Sequence, residues 1–185
     1  MRIITGTARG RKLKTLENLD VRPTAERVKE GLFSALQFSI EGRRVLDMFA
    51  GSGQLGLEAL SRGARSALFL EQSQKAAAVV RENIESCGFG DRSRLIQTDS
   101  LSYLRTSEDV FDIAFIDPPY ADEKLNSFIK AAVEHMSITG TVCVETPKER
   151  ELPESFSGVV EFVIDKVYVY GKTKVTMYRR KPVKE

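Results

Sequence analysis

Apolar residues along the chain fall into two alternating patterns. Residues 43–49 (RRVLDMF), 66–71 (SALFLE), 93–99 (SRLIQTD), 111–117 (FDIAFID) and 140–146 (GTVCVET) are short runs rich in Val, Ile, Leu and Phe, a strand-like composition. Between them, apolar residues recur at helical spacing. Leu55, Leu57, Ala59 and Leu60 follow the first run, and Leu125, Phe128, Ile129, Ala132 and Val133 follow the fourth. The segment after the second run opens on Ser73, a predicted N-cap, and stops at Gly88. After the third run comes a short amphipathic piece, SLSYLR. Strand and helix alternating at roughly 20–28 residues per unit predict parallel βαβ units with right-handed crossovers. VLDMF, ALFL and IAFI are unbroken apolar runs, as central strands covered on both faces require. The closing segment VVEFVIDKVYVYGKTKVTMYRR predicts two antiparallel strands turning at Tyr170-Gly171-Lys172. The expected fold class is α/β: a Rossmann-like, mostly parallel sheet of seven strands, ending in an antiparallel hairpin.

Residues 1–42 break this rhythm. Ile3, Ile4 and Leu13 around Gly6 and Gly10 predict a short β-hairpin. Residues 22–36 (RPTAERVKEGLFSAL) predict a helix opening at Pro23 or Thr24, with Val28, Leu32, Ala35 and Leu36 docking on the main body. The chain thus divides into an N-terminal extension, 1–42, and a main domain, 43–185.

Composition narrows the class. The 185 residues, 42% hydrophobic and 29% charged, suffice for one domain with its own core. No apolar run approaches the roughly 20 residues of a membrane span, and MRIITGTARGRKL has no signal-peptide core. Cys87 and Cys143 lie far apart with no CxxC or Cys/His cluster, so no disulfide or metal site is expected and the cytoplasm is the default. Nothing in the sequence calls for more than a monomer. Net charge is +2, unevenly spread. Arg2, Arg9, Arg11, Lys12 and Lys14 stand without an acid in residues 1–14. From Lys172 onward, Lys172, Lys174, Arg179, Arg180, Lys181 and Lys184 face a single acid, Glu185. Basic ends on a nearly neutral body suit a polyanionic partner, or are simply solvated; charge alone leaves both open.

The turn after the first strand adds chemistry. Gly51, Gly53 and Gly56 spell GxGxxG, and Glu71 ends the next strand, the layout of a dinucleotide fingerprint. A nicotinamide or flavin oxidoreductase is one reading. Asp47, at the end of the first strand, favours another: an anion there repels a pyrophosphate and welcomes an ammonium group. S-adenosylmethionine carries an ammonium and a sulfonium and has no phosphate. Asp47 could receive its amino group, Glu71 its ribose hydroxyls and Asp99 its adenine amine. Phe49 and Ser100 complete the candidate cofactor set with Gly51 and Gly53.

The fourth run ends in Asp117-Pro118-Pro119-Tyr120, on the same predicted sheet edge. An exocyclic amine of a base is a poor nucleophile because its lone pair is delocalised into the ring. Acceptors for its two N–H groups hold that lone pair toward an incoming methyl group. The Asp117 carboxylate and the Pro118 carbonyl are suitable acceptors, Pro119 fixes the backbone, and Tyr120 offers a stacking face. No metal is required, because a sulfonium already makes its methyl electrophilic. His135 reads as a helix-end residue, Tyr168, Tyr170 and Tyr178 as sheet packing, and Glu145 as either site support or surface.

The DPPY tetrapeptide, the segment LDMFAGSGQLGLEALSRGA, the stretch RPTAERVKEGLF, the opening RIITGTARGRKL and the late YGKTKVTMY together resemble the RsmD family. These are bacterial small-subunit ribosomal RNA (guanine-N2)-methyltransferases that use S-adenosylmethionine, and the likeness runs over nearly the whole chain. It implies the methyltransferase version of the Rossmann-like fold. By position it makes Asp47, Gly51, Gly53, Glu71 and Asp99 cofactor residues, and Asp117, Pro118 and Tyr120 holders of the guanine. It places Arg22 and Thr24 at the border of the active site and Arg9, Arg11, Lys12 and Lys14 on RNA phosphates. Ala8 departs from the aromatic residue common in relatives, which removes a stacking role from the hairpin but not its charge. The competing readings are an adenine-N6 or cytosine-N4 DNA methyltransferase, the oxidoreductase, and a non-catalytic RNA-binding factor.

Overall fold

Eight strands and five α-helices follow one another in the computed structural model, which describes residues 1–16, 23–118, 123–157 and 160–181. The helices are α1 (Pro23–Ala35), α2 (Gln54–Ser61), α3 (Gln74–Cys87), α4 (Ser100–Leu104) and α5 (Leu125–Glu134). The strands are β1 (Arg44–Asp47), β2 (Ser66–Glu71), β3 (Ser93–Gln97), β4 (Phe111–Ile116), β5 (Met136–Pro147), β6 (Ser155–Ser157), β7 (Glu161–Tyr170) and β8 (Thr173–Arg180). They form a single sheet in the order β3-β2-β1-β4-β5-β8-β7-β6. The first five are parallel, and β8, β7 and β6 continue antiparallel. Seven strands were expected. The additional one, β6, is only three residues long and carries a single buried residue, Phe156, too short for a periodic signal.

Alternation along each central strand feeds two cores. Val45, Ala67, Phe69, Ile113, Phe115, Cys143, Val175 and Met177 face α1, α2 and α3. Leu46, Leu68, Leu70, Ala114, Ile116, Val142, Val144 and Tyr178 face α4 and α5. All five predicted α5 residues are buried. Ser73 caps α3 by accepting the Ala76 N–H at 3.3 Å, and Gly88 ends it in the left-handed region at φ 72°.

The N-terminal residues share the first core: Ile3, Leu13, Val28, Leu32, Phe33 and Leu36 join it, with Ala35 partly buried. Arg2 and Lys12 form an antiparallel bridge, the seed of the expected hairpin. α1 packs across β7 and β8 with no room to spare, because a Cβ on Gly31 would lie 1.9 Å from the Tyr170 hydroxyl. Tyr178 is fully buried and donates to the Pro153 carbonyl at 2.7 Å. Those two tyrosines are packing residues, as the sequence suggests. Among the described residues no helix is long and apolar enough to cross a membrane.

Candidate active site

The strand order reverses between β1 and β4, and ligands of open α/β sheets bind beyond the carboxyl ends of strands at such a point. Residues two apart on a strand share a face. Asp47, Glu71, Asp117 and Glu145 therefore project to the same side as Val45, Phe69, Phe115 and Cys143, the side of α1, α2 and α3. Asp47 is level with Phe69 and Phe115, and Phe115 with Cys143. Glu71, Asp117 and Glu145 thus stand one pleat further out. Extending the Ile116↔Val144 register by one residue sets Asp117 beside Glu145. With Asp99, just past β3, an acid stands at the carboxyl edge of each of the five parallel strands.

These carboxylates have little to neutralise them. Among the described residues none of the five forms an ion pair. Burial pushes Asp47 up to about 7, opposed by the N–H groups of Gly56 and Phe49 and reinforced by the charges of Asp117 and Glu71. Burial also raises Asp117, and burial together with repulsion from Asp117 raises Glu145. Asp99 moves the other way: the Ser102 N–H and hydroxyl hold it below the usual range.

The glycine turn is built around two of these acids. Asp47, 2% exposed, accepts the Gly56 N–H at 3.0 Å and so ties β1 to the first turn of α2. Glu71 accepts the Gly51 N–H at 2.9 Å through one oxygen and the Ser73 N–H at 2.8 Å through the other. Gly51 and Gly53 both have positive φ, 57° and 78°, where side chains other than Gly are strained. A Cβ on Gly51 would meet nothing nearer than the Phe49 carbonyl at 3.9 Å, so the space over the turn is open. Gly56 serves packing instead: a Cβ there would lie 2.3 Å from the Phe69 ring.

The other candidates fall around this turn. Phe49 stands edge-on to Phe128 of α5, with ring centroids 4.8 Å apart. Ser100 donates to the Met48 carbonyl at 2.5 Å, bringing the start of α4 against the turn. Asp99 caps α4 through Ser102 at 2.8 Å, leaving its second oxygen without a partner among the described residues. Pro118 is half-buried beside Asp117. Pro119, Tyr120, Arg22 and the side chain of Thr24 lie outside the described residues.

Arg9, Arg11 and Lys12 are exposed and form no ion pair among the described residues. Lys14 is less available, because its ammonium pairs with Glu82. At the other end Arg179 pairs with Asp165 at 3.5 Å and Lys181 with Glu161 at 2.8 Å. The C-terminal charge is therefore partly spent within the sheet. His135 ends α5, its ring nitrogens 2.8 Å and 2.9 Å from the carbonyls of Asp109 and Leu104.

A clamp that sequence reasoning missed joins the hairpin to the glycine turn. Glu58 of α2 is fully buried and accepts the N–H groups of Ile4 at 2.8 Å and Thr5 at 3.0 Å. It also pairs with Arg62 at 2.8 Å and with buried Lys29 of α1 at 3.5 Å. Asn83 of α3 donates to the carbonyls of Ser52 and Lys14, at 2.8 Å and 2.9 Å. The available signal was a charged residue, Glu58, between the apolar Leu57 and Leu60 of a short helix.

The chain is similar to known proteins over nearly its whole length. The model of the family described as conserved hypothetical protein 95 matches residues 1–179. The Ribosomal RNA small subunit methyltransferase D of Haemophilus influenzae is 37% identical over 85% of each chain. The protein of the same name from Escherichia coli K12 is 32% identical over 97% of this chain and 90% of its own. The solved structure of yhhF from Escherichia coli aligns over 99% of both chains with a TM-score of 0.84 and 31% identity. The chain belongs to this family of conserved hypothetical protein 95, the RsmD family its motifs resemble.

Proposed function

We propose that the chain methylates the exocyclic N2 amine of a guanine in small-subunit ribosomal RNA, with S-adenosylmethionine as methyl donor. The observation that carries this reading is the pair Asp117 and Glu145, adjacent on one face of the sheet and in no ion pair among the described residues. Guanine presents two kinds of donor on one edge, N1–H and the N2 amine. Two neighbouring acceptors complement that edge: Asp117 with the Pro118 carbonyl on the amine, Glu145 on N1–H. Adenine offers its amine alone, with no N1–H for the second carboxyl group to engage. The names of the Haemophilus influenzae and Escherichia coli relatives support ribosomal RNA as the substrate class.

The residues also fit the donor. When bound, S-adenosylmethionine supplies an electrophilic methyl group on a positively charged sulfur. An edge where five carboxylates form no ion pair among the described residues suits an ammonium and a sulfonium and disfavours the pyrophosphate of a dinucleotide. The open space above Gly51 lets a ligand approach the backbone. Asp47 lowers the energy of a cation near the turn, Glu71 accepts from ribose hydroxyls, and the free oxygen of Asp99 accepts from the adenine amine. Asp117 and the Pro118 carbonyl orient the target amine, and alignment with electrostatic stabilisation supplies the rate. No side chain needs to act as an obligatory base, since the proton leaves after transfer. The basic hairpin, held by Glu58 against the helix that carries the glycine turn, would grip phosphates next to the reacting base.

The test offers tritiated S-adenosylmethionine with small ribosomal subunits, free ribosomal RNA and duplex DNA, followed by nucleoside chromatography. The expected label is N2-methylguanosine from an RNA arm. Label confined to DNA, or found in N6-methyladenosine, would overturn the reading.

A further inference from the structure

A second charged feature lies on the opposite edge of the sheet, where the strands begin. A cavity of about 410 Å3 opens against the first residues of β1, β2, β3 and β4. Arg44, Arg65, Arg92 and Arg94 line it, with Asp91 and Asp109. Their ion pairing is lopsided. Arg44 and Arg94 both lean on the carboxylate of Asp109, at 3.3 Å and 3.6 Å, and the Tyr103 hydroxyl donates to the same group at 2.5 Å. Arg92 stacks over Phe89 and points at the carbonyls of Leu60 and Ala64, with no carboxylate partner among the described residues. Arg65 is exposed and likewise unpaired there. Four guanidinium groups thus face two carboxylates, Asp91 and Asp109, and only Asp109 is ion-paired with any of them among the described residues. Ser93 also lines the cavity, and its hydroxyl is buried and lacks a hydrogen-bond partner among the described residues.

A concave surface with excess guanidinium charge focuses a positive potential, and the guanidinium fork matches phosphate oxygens in pairs. Asp91 and Asp109 oppose any anion, so the cleft is suited to a strand that sets several phosphates against the guanidinium groups at once, which lone carboxylates of a peptide do less well. From the geometry we infer that this cleft is a second RNA-binding site, holding phosphates of the substrate strand on the edge away from the reacting base. The six residues of β2 set the two edges roughly 20 Å apart, a span that a folded ribosomal RNA exceeds many times. The inference rests on the RNA reading given above.

Arg65 and Arg94 are the most accessible of the four, and neither belongs to the methyl-transfer edge. The experiment compares wild type with the double variants Arg65→Glu/Arg94→Glu and Arg65→Lys/Arg94→Lys, using small-subunit ribosomal RNA as probe. Filter binding across a KCl series and steady-state methylation are read for each. Charge reversal should raise KM for the RNA about tenfold with kcat within about twofold, and flatten the salt slope by about 1.4, at roughly 0.7 per lost phosphate contact. The lysine pair should keep the wild-type slope. Unchanged KM and slope in the reversed variant would overturn the inference. So would loss of inorganic pyrophosphate binding without any change toward RNA, which would make the cleft a small-anion site. Wild type that neither binds nor methylates RNA would instead defeat the underlying reading, and this one with it.

Discussion

A single carboxylate carries the most exposed part of the account. Asp117 holds the amine in the proposed site and makes none of the hydrogen bonds that fix the glycine turn. Asp117→Ala should therefore cut methyl transfer by at least about 100-fold while S-adenosylmethionine affinity, read by calorimetry, stays within a few-fold of wild type. Near-normal turnover would remove Asp117 from the site. Asp47 makes a pH prediction. Its folded value of about 7 lies above the unfolded 3.8, so the folded state holds this proton more tightly. The resulting stabilisation is complete below about 3.8 and is lost as pH rises through 7. Asp47→Asn keeps an acceptor for the Gly56 N–H but has nothing to ionise. Its melting temperature should gain on wild type between pH 4 and 7.5, by an equivalent on the order of 4 kcal/mol at most. A cationic cofactor favours the ionised form, so its affinity should rise over that window more steeply in wild type than in the variant, which keeps only the titration of Asp117 and Glu145. Parallel pH curves for the two proteins would contradict both expectations. The sequence showed that acids end the strands. It could not show that Asp47 and Glu71 spend oxygens on the turn itself, because those hydrogen bonds depend on where α2 begins.

Elements were legible wherever a long apolar period spoke. The limits of β2 and α3, the caps Ser73 and Gly88, and the buried face of α5 all follow from spacing and cap chemistry. Short or tertiary features were not legible. Three residues of β6 carry no period, and the Glu58 clamp joins residues 54 positions apart. That clamp predicts that Glu58→Ala takes the carboxylate from Lys29, whose pKa burial already lowers, leaving it the Arg2 carbonyl at 2.6 Å, and should cost about 3–5 kcal/mol in urea unfolding. A loss below about 1 kcal/mol would make the buried contacts incidental. The α1 docking predicts a non-additive pair. Gly31→Ala drives a methyl into the Tyr170 ring and should destabilise by about 1–3 kcal/mol, and adding Tyr170→Ala should recover part of that cost. Strictly additive losses would mean that helix and tyrosine do not compete for one space.

At the scale of the whole molecule, one sheet presents acids at the carboxyl edge and a cleft of four arginines at the other, with a basic hairpin clamped beside the first. The hairpin's positions were plain in the sequence, but not that Lys14, Arg179 and Lys181 answer to acids of the same chain. Replacing Arg9, Arg11 and Lys12 by Ala should weaken ribosomal RNA binding and flatten its salt slope by about 2, with cofactor binding unchanged. An unaltered slope would free the hairpin of its assigned contact. Methylation of one guanine is read out by the map of modified nucleotides in small-subunit ribosomal RNA from cells lacking the protein. A single N2-methylguanosine should disappear, return with the wild-type gene, and stay absent with Asp117→Ala. A map identical to that of wild-type cells would contradict it.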